Sequence, residues 1–231
     1  MIQFLIPFLL LWIADDSMVL VKVEGGTRSF YMDKHEVTMA EFEKFVLATG
    51  HKTSCEIKGE CGILSGKGEN DPMPNINWRH DPTGKKILKE RYKELPVTRV
   101  SLVDAKAYAK WKGKRIPTME EWLLAANEGS KTPKYKYSGS NIPKQVGWYD
   151  ANSYEQIKPV GLLKPNSLGI YDLSGNVEEI TLLSKKEDVL IRKGGYSLAD
   201  KENMEVNDDY SMRIKTVGFS MPYLGFRCVK D

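Results

Sequence analysis

The sequence has no run of basic residues and few groups that could hold a transition metal. Its 34 lysines and arginines are interspersed with 31 aspartates and glutamates, leaving a net charge of +3. This balance offers no basic patch for nucleic acid or for an anionic membrane surface. With three histidines, three cysteines and no Cys-x-x-Cys pair or cysteine–histidine cluster, the chain also lacks the ligand spacing of a structural zinc site.

Long apolar runs are also absent, except for one at the N-terminus. Residues 2–14 read IQFLIPFLLLWIA, and Asp15 and Asp16 follow. This run is too short to span a bilayer as a helix, but it matches the apolar region of a signal peptide. We therefore predict a signal peptide over 1–16 and export to the periplasm or out of the cell. A buried N-terminal strand or hairpin is the alternative, because no lysine or arginine precedes the run.

The three cysteines limit what sulfur chemistry is available. Cys55 and Cys61 are spaced so that they could close a small disulfide loop in an oxidising compartment. Cys228 stands far from both, and an odd number of cysteines means that at least one thiol is free or pairs elsewhere.

Local patterns predict an α+β domain with few regular elements. Three helices are expected where Ser or Thr is followed three residues later by an acid, at 38–41, 101–104 and 118–121. Short apolar runs predict strands at 18–23, 28–32, 189–193 and 224–229. The stretches 55–96 and 130–166 are rich in loop-forming residues, and no repeat or linker divides the chain into two domains.

Five blocks then resemble one family, in matching order along the chain. They are FYMDKHEVTMAEFEKFVLATG (30–50), PVTRVSLVDAKAYAKWKGKRIPTMEEWLLAANEG (96–129), PVGLLKPNSLGIYDLSGNVEEI (159–180), RKGGYS (192–197) and LGFRCVKD (224–231). The chain resembles the formylglycine-generating enzymes, or sulfatase-modifying factors. The resemblance implies a single domain over 17–231 with the irregular α+β fold related to C-type lectins and little regular secondary structure.

The resemblance also shows what is missing from the reaction centre. The family enzyme oxidises a cysteine of its sulfatase client to formylglycine, using oxygen and a copper(I) ion held by two thiolates. Those cysteines lie five and ten residues after the first glycine of a Gly-Gly pair, where this chain has Ala199 and Met204. Copper(I) requires soft ligands such as thiolates. We therefore expect neither a copper cofactor nor formylglycine generation.

A calcium site of the family has a closer match. The resemblance places its ligands at Asp172, the carbonyls of Gly175 and Val177, and Glu179. Hard oxygen ligands around a tight turn suit calcium, and a solvated acidic turn without metal is the alternative. Glu178 stands where the family usually has tryptophan, which puts the neighbouring packing in question.

The segment after the Gly-Gly pair corresponds to the border of the family's substrate groove. Its candidate groove residues are Tyr196, Asp208, Asp209 and Arg213. The leading hypothesis is an exported, non-catalytic domain whose groove binds a peptide, a glycan or a partner protein. One rival is an oxidoreductase of the same family that works without copper thiolates, for example in maturing a peptide or secondary metabolite. Another is formylglycine generation through Cys55 and Cys61.

Overall fold

Three small sheets and a set of short helices form the part of the chain that the computed structural model describes. The described residues are 16–26, 28–65, 68–207, 213–216 and 218–231. Except for Asp16, the expected signal peptide at 1–16 lies outside them. None of the described helices is both long enough and apolar enough to cross a membrane.

The strands pair mostly with their neighbours in sequence. They are β1 (Met18–Lys22), β2 (Ser29–Asp33), β3 (Glu60–Ser65), β4 (Gly68–Pro74), β5 (Glu178–Ser184), β6 (Glu187–Lys193), β7 (Arg213–Ile214), β8 (Leu224–Gly225) and β9 (Val229–Lys230). One sheet has the order β1-β2-β9, the second is the hairpin β3-β4, and the third has the order β7-β6-β5-β8. All pairs are antiparallel except β5 with β8.

The three helices expected from their first turns are present. The helices are α1 (Met39–Thr49), α2 (Ser54–Lys58), α3 (Leu102–Trp111), α4 (Met119–Ala126), α5 (Pro143–Val146) and α6 (Asp150–Ser153). In α1, α3 and α4 the N-cap hydroxyl accepts from the backbone of the third residue, whose carboxylate accepts from the N-cap backbone. These capping boxes satisfy N–H groups that a helix start otherwise leaves unpaired.

The stretch 55–96 is more ordered than its composition predicts. It contains α2 and the β3-β4 hairpin, although the β4 sequence GENDPMP shows no strand periodicity. The hairpin is anchored from outside by Arg99, which is fully buried and donates to the carbonyls of Gly62, His80 and Asp81 at 2.9, 2.5 and 2.6 Å. Tertiary contacts therefore supply the order that local propensity lacks.

The C-terminal segment, expected as one strand over 224–229, is divided between two sheets. β8 joins the four-stranded sheet and β9 joins the three-stranded one. The residues between them are buried, and the carbonyls of Phe226 and Cys228 accept from Val37 and Asp33 at 2.9 Å each. This segment ties both sheets to the beginning of α1 and passes beside the turn that leads into β5.

Candidate functional site

The turn that leads into β5 is shaped by left-handed backbone conformations. Asp172, Gly175 and Asn176 have φ values of 56°, 86° and 62°. A Cβ atom on Gly175 would lie 2.2 Å from the carbonyl oxygen of Trp148, so this position admits only glycine. Asp172 Oδ2 accepts from the backbone N–H of Gly161 at 2.6 Å. The turn is thus fixed by backbone geometry and by its own carboxylate.

A fully buried ion pair closes the turn at its β5 end. Arg227 donates through Nη2 to Glu179 Oε1 at 2.7 Å and through Nε to Glu179 Oε2 at 2.8 Å. The indole Nε1 of Trp122 also donates to Glu179 Oε2, at 3.0 Å. Such a two-pronged contact compensates a buried carboxylate well. Glu179 is therefore held in place by protein groups.

Two more buried carboxylates lie near this pair, and each has an oxygen without a partner. Glu36 Oε1 accepts from the side chain of Asn176 at 3.1 Å, whereas Glu36 Oε2 and Asp172 Oδ1 accept no hydrogen bond from the described residues. Burial raises the pKa of Glu36 well above its usual range, and the charge of Asp172 raises it further. Burial likewise raises the pKa of Asp172. Three buried carboxylates thus share one buried guanidinium, an arrangement that favours an added cation or proton.

In the segment after the Gly-Gly pair, positions 199 and 204 are occupied by buried apolar side chains. Ala199 and Met204 are both buried, and Met204 belongs to a small apolar cluster with Val146. A Cβ atom on Gly147 would lie 2.9 Å from Met204 Sδ, and one on Gly195 would lie 2.9 Å from Met204 Cβ. The two glycines therefore make room for the methionine, whose thioether fills the interior.

A second buried ion pair lies at the start of β5. Glu178 Oε2 accepts from Arg192 Nη1 at 2.7 Å, and both side chains are about nine-tenths buried. Arg192 Nη1 also lies 3.0 Å from Met221 Sδ. Nearby, the backbone N–H of Glu178 donates to Tyr223, whose ring centroid is 4.7 Å from that of Tyr196. Charged and aromatic side chains fill the space beside the Gly-Gly segment.

Of the four expected groove residues, Tyr196 and Arg213 lie within the described part of the chain. Tyr196 is partly buried, and Arg213 is exposed on β7, where it pairs in register with Ile191 of β6. Asp208 and Asp209 lie outside the described residues. The groove therefore stays a prediction.

Comparison with known proteins shows the family. A model of the sulfatase-modifying factor enzyme 1-like domain matches residues 21–231. The chain belongs to this family. It is 30% identical over 249 residues to the formylglycine-generating enzyme of Bos taurus, covering 88% of this chain and 66% of that protein, so it spans just under two thirds of the bovine length.

One further relative of this sulfatase-modifying factor domain and one solved structure of similar fold cover most of the chain. The protein named inactive C-alpha-formylglycine-generating enzyme 2 of Mus musculus is 29% identical, covering 90% of this chain and 77% of that one. The structure of PvdO from Pseudomonas aeruginosa matches with a TM-score of 0.64 at 18% identity, covering 88% and 81%. The latter likeness concerns the fold alone. The family and the α+β fold expected from the sequence are confirmed.

None of the three cysteines of this family member is at position 199 or 204. Two of them form a disulfide, and the third is buried. Cys55 and Cys61 form a disulfide, and the hydroxyl of Ser220 lies 3.3 and 3.5 Å from their sulfurs. Cys228 is a buried free thiol, and burial raises its pKa well above the usual range. Among the described residues, no three histidine, cysteine, aspartate or glutamate side chains converge as metal ligands.

Sequence reasoning missed the importance of Glu36. It lies between β2 and α1, in one of the blocks that resemble the family, and the side chain is fully buried. A single acid between a strand and a helix cap looks like an ordinary surface residue. Only the folded chain brings Glu36 beside a turn that lies more than 130 positions away.

Proposed function

We propose that this domain is an exported, non-catalytic member of the sulfatase-modifying factor family that binds a peptide, a glycan or a partner protein. The observation that carries the proposal is the pair of residues at the copper positions, Ala199 and Met204. A methyl group cannot coordinate a metal, and a lone thioether in a packed apolar cluster is a poor substitute for two thiolates.

The remaining sulfurs offer no second route to copper chemistry. A disulfide sulfur is not a thiolate, so Cys55 and Cys61 are unsuitable ligands in the oxidised state. Cys228 is buried, and its raised pKa keeps it protonated near neutral pH.

The ligand groove would be bordered by Tyr196 and Arg213, with Asp208 and Asp209 in the same segment. Arg213 is exposed and is a natural contact for an acidic or polar ligand. Export is supported by the Cys55–Cys61 disulfide, because such bonds persist mainly in the periplasm and outside the cell.

Copper and oxygen measurements test the loss of catalysis. The protein, loaded with copper(I) and given a Cys-x-Pro-x-Arg peptide, is expected to retain no stoichiometric copper, to consume no oxygen above background and to leave the peptide mass unchanged. The double variant Ala199→Cys/Met204→Cys serves as the matched control, since it restores both thiols and should bind copper. Tight copper binding by the unmodified chain with peptide-dependent oxygen consumption would overturn the proposal.

Arrays of peptides and glycans test the binding role. Arg213→Ala should weaken the binding of any ligand that uses the groove, whereas Lys110→Ala, an exposed lysine on α3, should leave that binding unchanged. Equal effects of the two substitutions would show that the groove is not the binding surface.

We also propose that the turn at Asp172 holds calcium. The donor set supports this proposal: among the described residues, Asp172 Oδ1 and Glu36 Oε2 are buried oxygens without hydrogen-bond partners, and the carbonyls of Gly175 and Val177 belong to the same turn. Calcium, when bound, would neutralise the excess of negative charge. Because Glu179 already accepts from Arg227 and Trp122, we assign it to holding the turn, with Glu36 as the second carboxylate available to the ion.

A further inference from the structure

A cleft of about 310 Å³ is lined by none of the described residues of the segment 194–213. Residues of the segment 78–88 form one side of it, and the loop 155–157 forms another. Its size is at the lower end of the range for ligand pockets, which is about 300–1,000 Å³. It could therefore take one or two side chains of a ligand.

The floor of the cleft is apolar and belongs to the main core. Met39 and Trp78 are each 1% exposed, and Leu95 is 5% exposed. Ile87 and Ile157 are partly buried and pack against the same core. Ile87 and Ile157 therefore supply the accessible apolar surface, and the buried side chains beneath hold it in place, which costs a ligand little reorganisation.

The rim is cationic, and its cations form no ion pair within the described residues. Lys85, Lys86 and Arg91 line the cleft and are exposed, and within the described part of the chain none of them forms an ion pair. Many other cations of the chain do: Lys106 lies 2.7 Å from Asp188, for example. Three neighbouring cations without carboxylate partners leave a local positive potential that an anionic ligand would complement.

The two acids at the cleft, Asp81 and Glu155, cancel only part of the charge of the three rim cations. Asp81 Oδ1 accepts from the backbone N–H groups of Thr83 and Lys85 at 3.0 Å each and from the Thr83 hydroxyl at 2.8 Å. Its carboxylate therefore holds the turn of the rim. Glu155 is the one other acid among the lining residues.

The opposite wall is held in an uncommon backbone conformation. Tyr154 and Glu155 are consecutive non-glycine residues in the left-handed region, with φ values of 54° and 56°. Such conformations are rare outside glycine and recur at functional sites, where the surrounding fold enforces them. Here they end α6 and direct the chain along the cleft.

We infer that this cleft binds an acidic peptide segment, with an apolar side chain on the floor and flanking carboxylates on Lys85, Lys86 and Arg91. A sugar is less suited, because sugars stack on exposed aromatic faces. Trp78, the one aromatic lining residue, has almost no exposed surface, and the guanidinium of Arg79 lies 4.1 Å from its ring centroid. The inference is independent of the groove proposed above.

Fluorescent seven-residue peptides test the inference by anisotropy on the full chain. One set has a central Leu, Ile, Met or Phe flanked by Asp and Glu. Two matched sets have a central Ser, or have Lys and Arg flanks. Only the acidic peptides with an apolar centre are expected to bind, and Lys86→Glu/Arg91→Glu should weaken their binding by about tenfold or more.

The matched control is Lys110→Glu/Lys144→Glu, which reverses two exposed lysines that line no part of the cleft and form no ion pair in the described chain. It should change the affinity by less than about twofold. Retained binding in the cleft variant, equal binding of the Ser-centred or basic peptides, or no binding of any peptide up to about 1 mM would overturn the inference. Cleft-dependent binding of a sulfated heparin disaccharide in place of the peptides would also overturn it and identify the ligand as an anionic glycan.

Discussion

The turn around Asp172 and the segment after Gly194 are neighbours, joined by a 2.7 Å hydrogen bond from the N–H of Gly175 to the carbonyl of Gly194. Both depend on left-handed glycines. The turn buries Asp172 and Glu179, with Glu36 and Arg227 close to them. The segment instead buries Ala199 and Met204 at the two positions that matter for copper.

The charged turn and the apolar segment are therefore under different structural constraints. Burying charge is costly unless partners are positioned for it, so the charged turn constrains many residues at once. The non-catalytic role proposed above would free positions 199 and 204 from such a constraint, and both are filled with apolar atoms.

Removing the guanidinium should affect the turn most strongly. Arg227→Met leaves Glu179 buried without its main partner, which should lower the free energy of unfolding by about 3–5 kcal/mol. Urea unfolding measures this, and Arg213→Met, at an exposed arginine, is the matched control. If both substitutions lowered the free energy of unfolding equally little, the buried pair would not be what holds the turn.

Removing the thioether tests whether Met204 now serves packing. Met204→Ala should lower the free energy of unfolding by about 3 kcal/mol because it creates a cavity, whereas Met204→Leu should cost less than about 1.5 kcal/mol. Chemical denaturation compares the two variants. A tolerated alanine would argue against a packed interior at this position.

Calcium should stabilise the turn and not the Gly-Gly segment. At a hundredfold excess over its dissociation constant, calcium should add about 2.7 kcal/mol to the free energy of unfolding, and a chelator should remove this gain. Asp172→Asn and Glu36→Gln should each reduce the heat of calcium binding in calorimetry, while Met204→Leu should preserve it. An unchanged melting temperature with calcium would remove the proposed site.

Glu121 is a buried carboxylate with cationic partners, and it can be compared with the carboxylates of the turn. Glu121 is buried, which raises its pKa, but hydrogen bonds from Arg115 and from the backbone of Thr118 outweigh burial and lower the pKa to about 2. Because the folded pKa lies below the unfolded value of 4.5, this stabilisation is present above pH 4.5 and is lost as the pH falls towards 2.

The expected loss is on the order of 2 kcal/mol between pH 5 and pH 2. Glu121→Gln should reduce this acid dependence, as measured by the urea midpoint at each pH. An unchanged profile would mean that other carboxylates dominate acid unfolding.

The parts of the fold that follow from neighbouring residues were predictable. The capping boxes at Thr38, Ser101 and Thr118 involve residues three positions apart, and all three helices begin there. By contrast, no local pattern predicts the β3-β4 hairpin. It is supported by Arg99, which lies far away in sequence and donates to the carbonyl of Gly62 on β3. The sequence predicts one C-terminal strand over 224–229, whereas the division of this segment between two sheets depends on where those sheets lie.

Residue identities at fixed local spacings are enough to predict the family, the helix starts and the absence of cysteine at positions 199 and 204. Within the described residues, long-range packing brings Glu36 beside Asp172, binds Glu179 to Arg227, and leaves Lys85, Lys86 and Arg91 without ion pairs at the rim of the cleft. Those arrangements arise from residues far apart in the chain, and the free energy of burying a charge depends on which partners the fold brings to it.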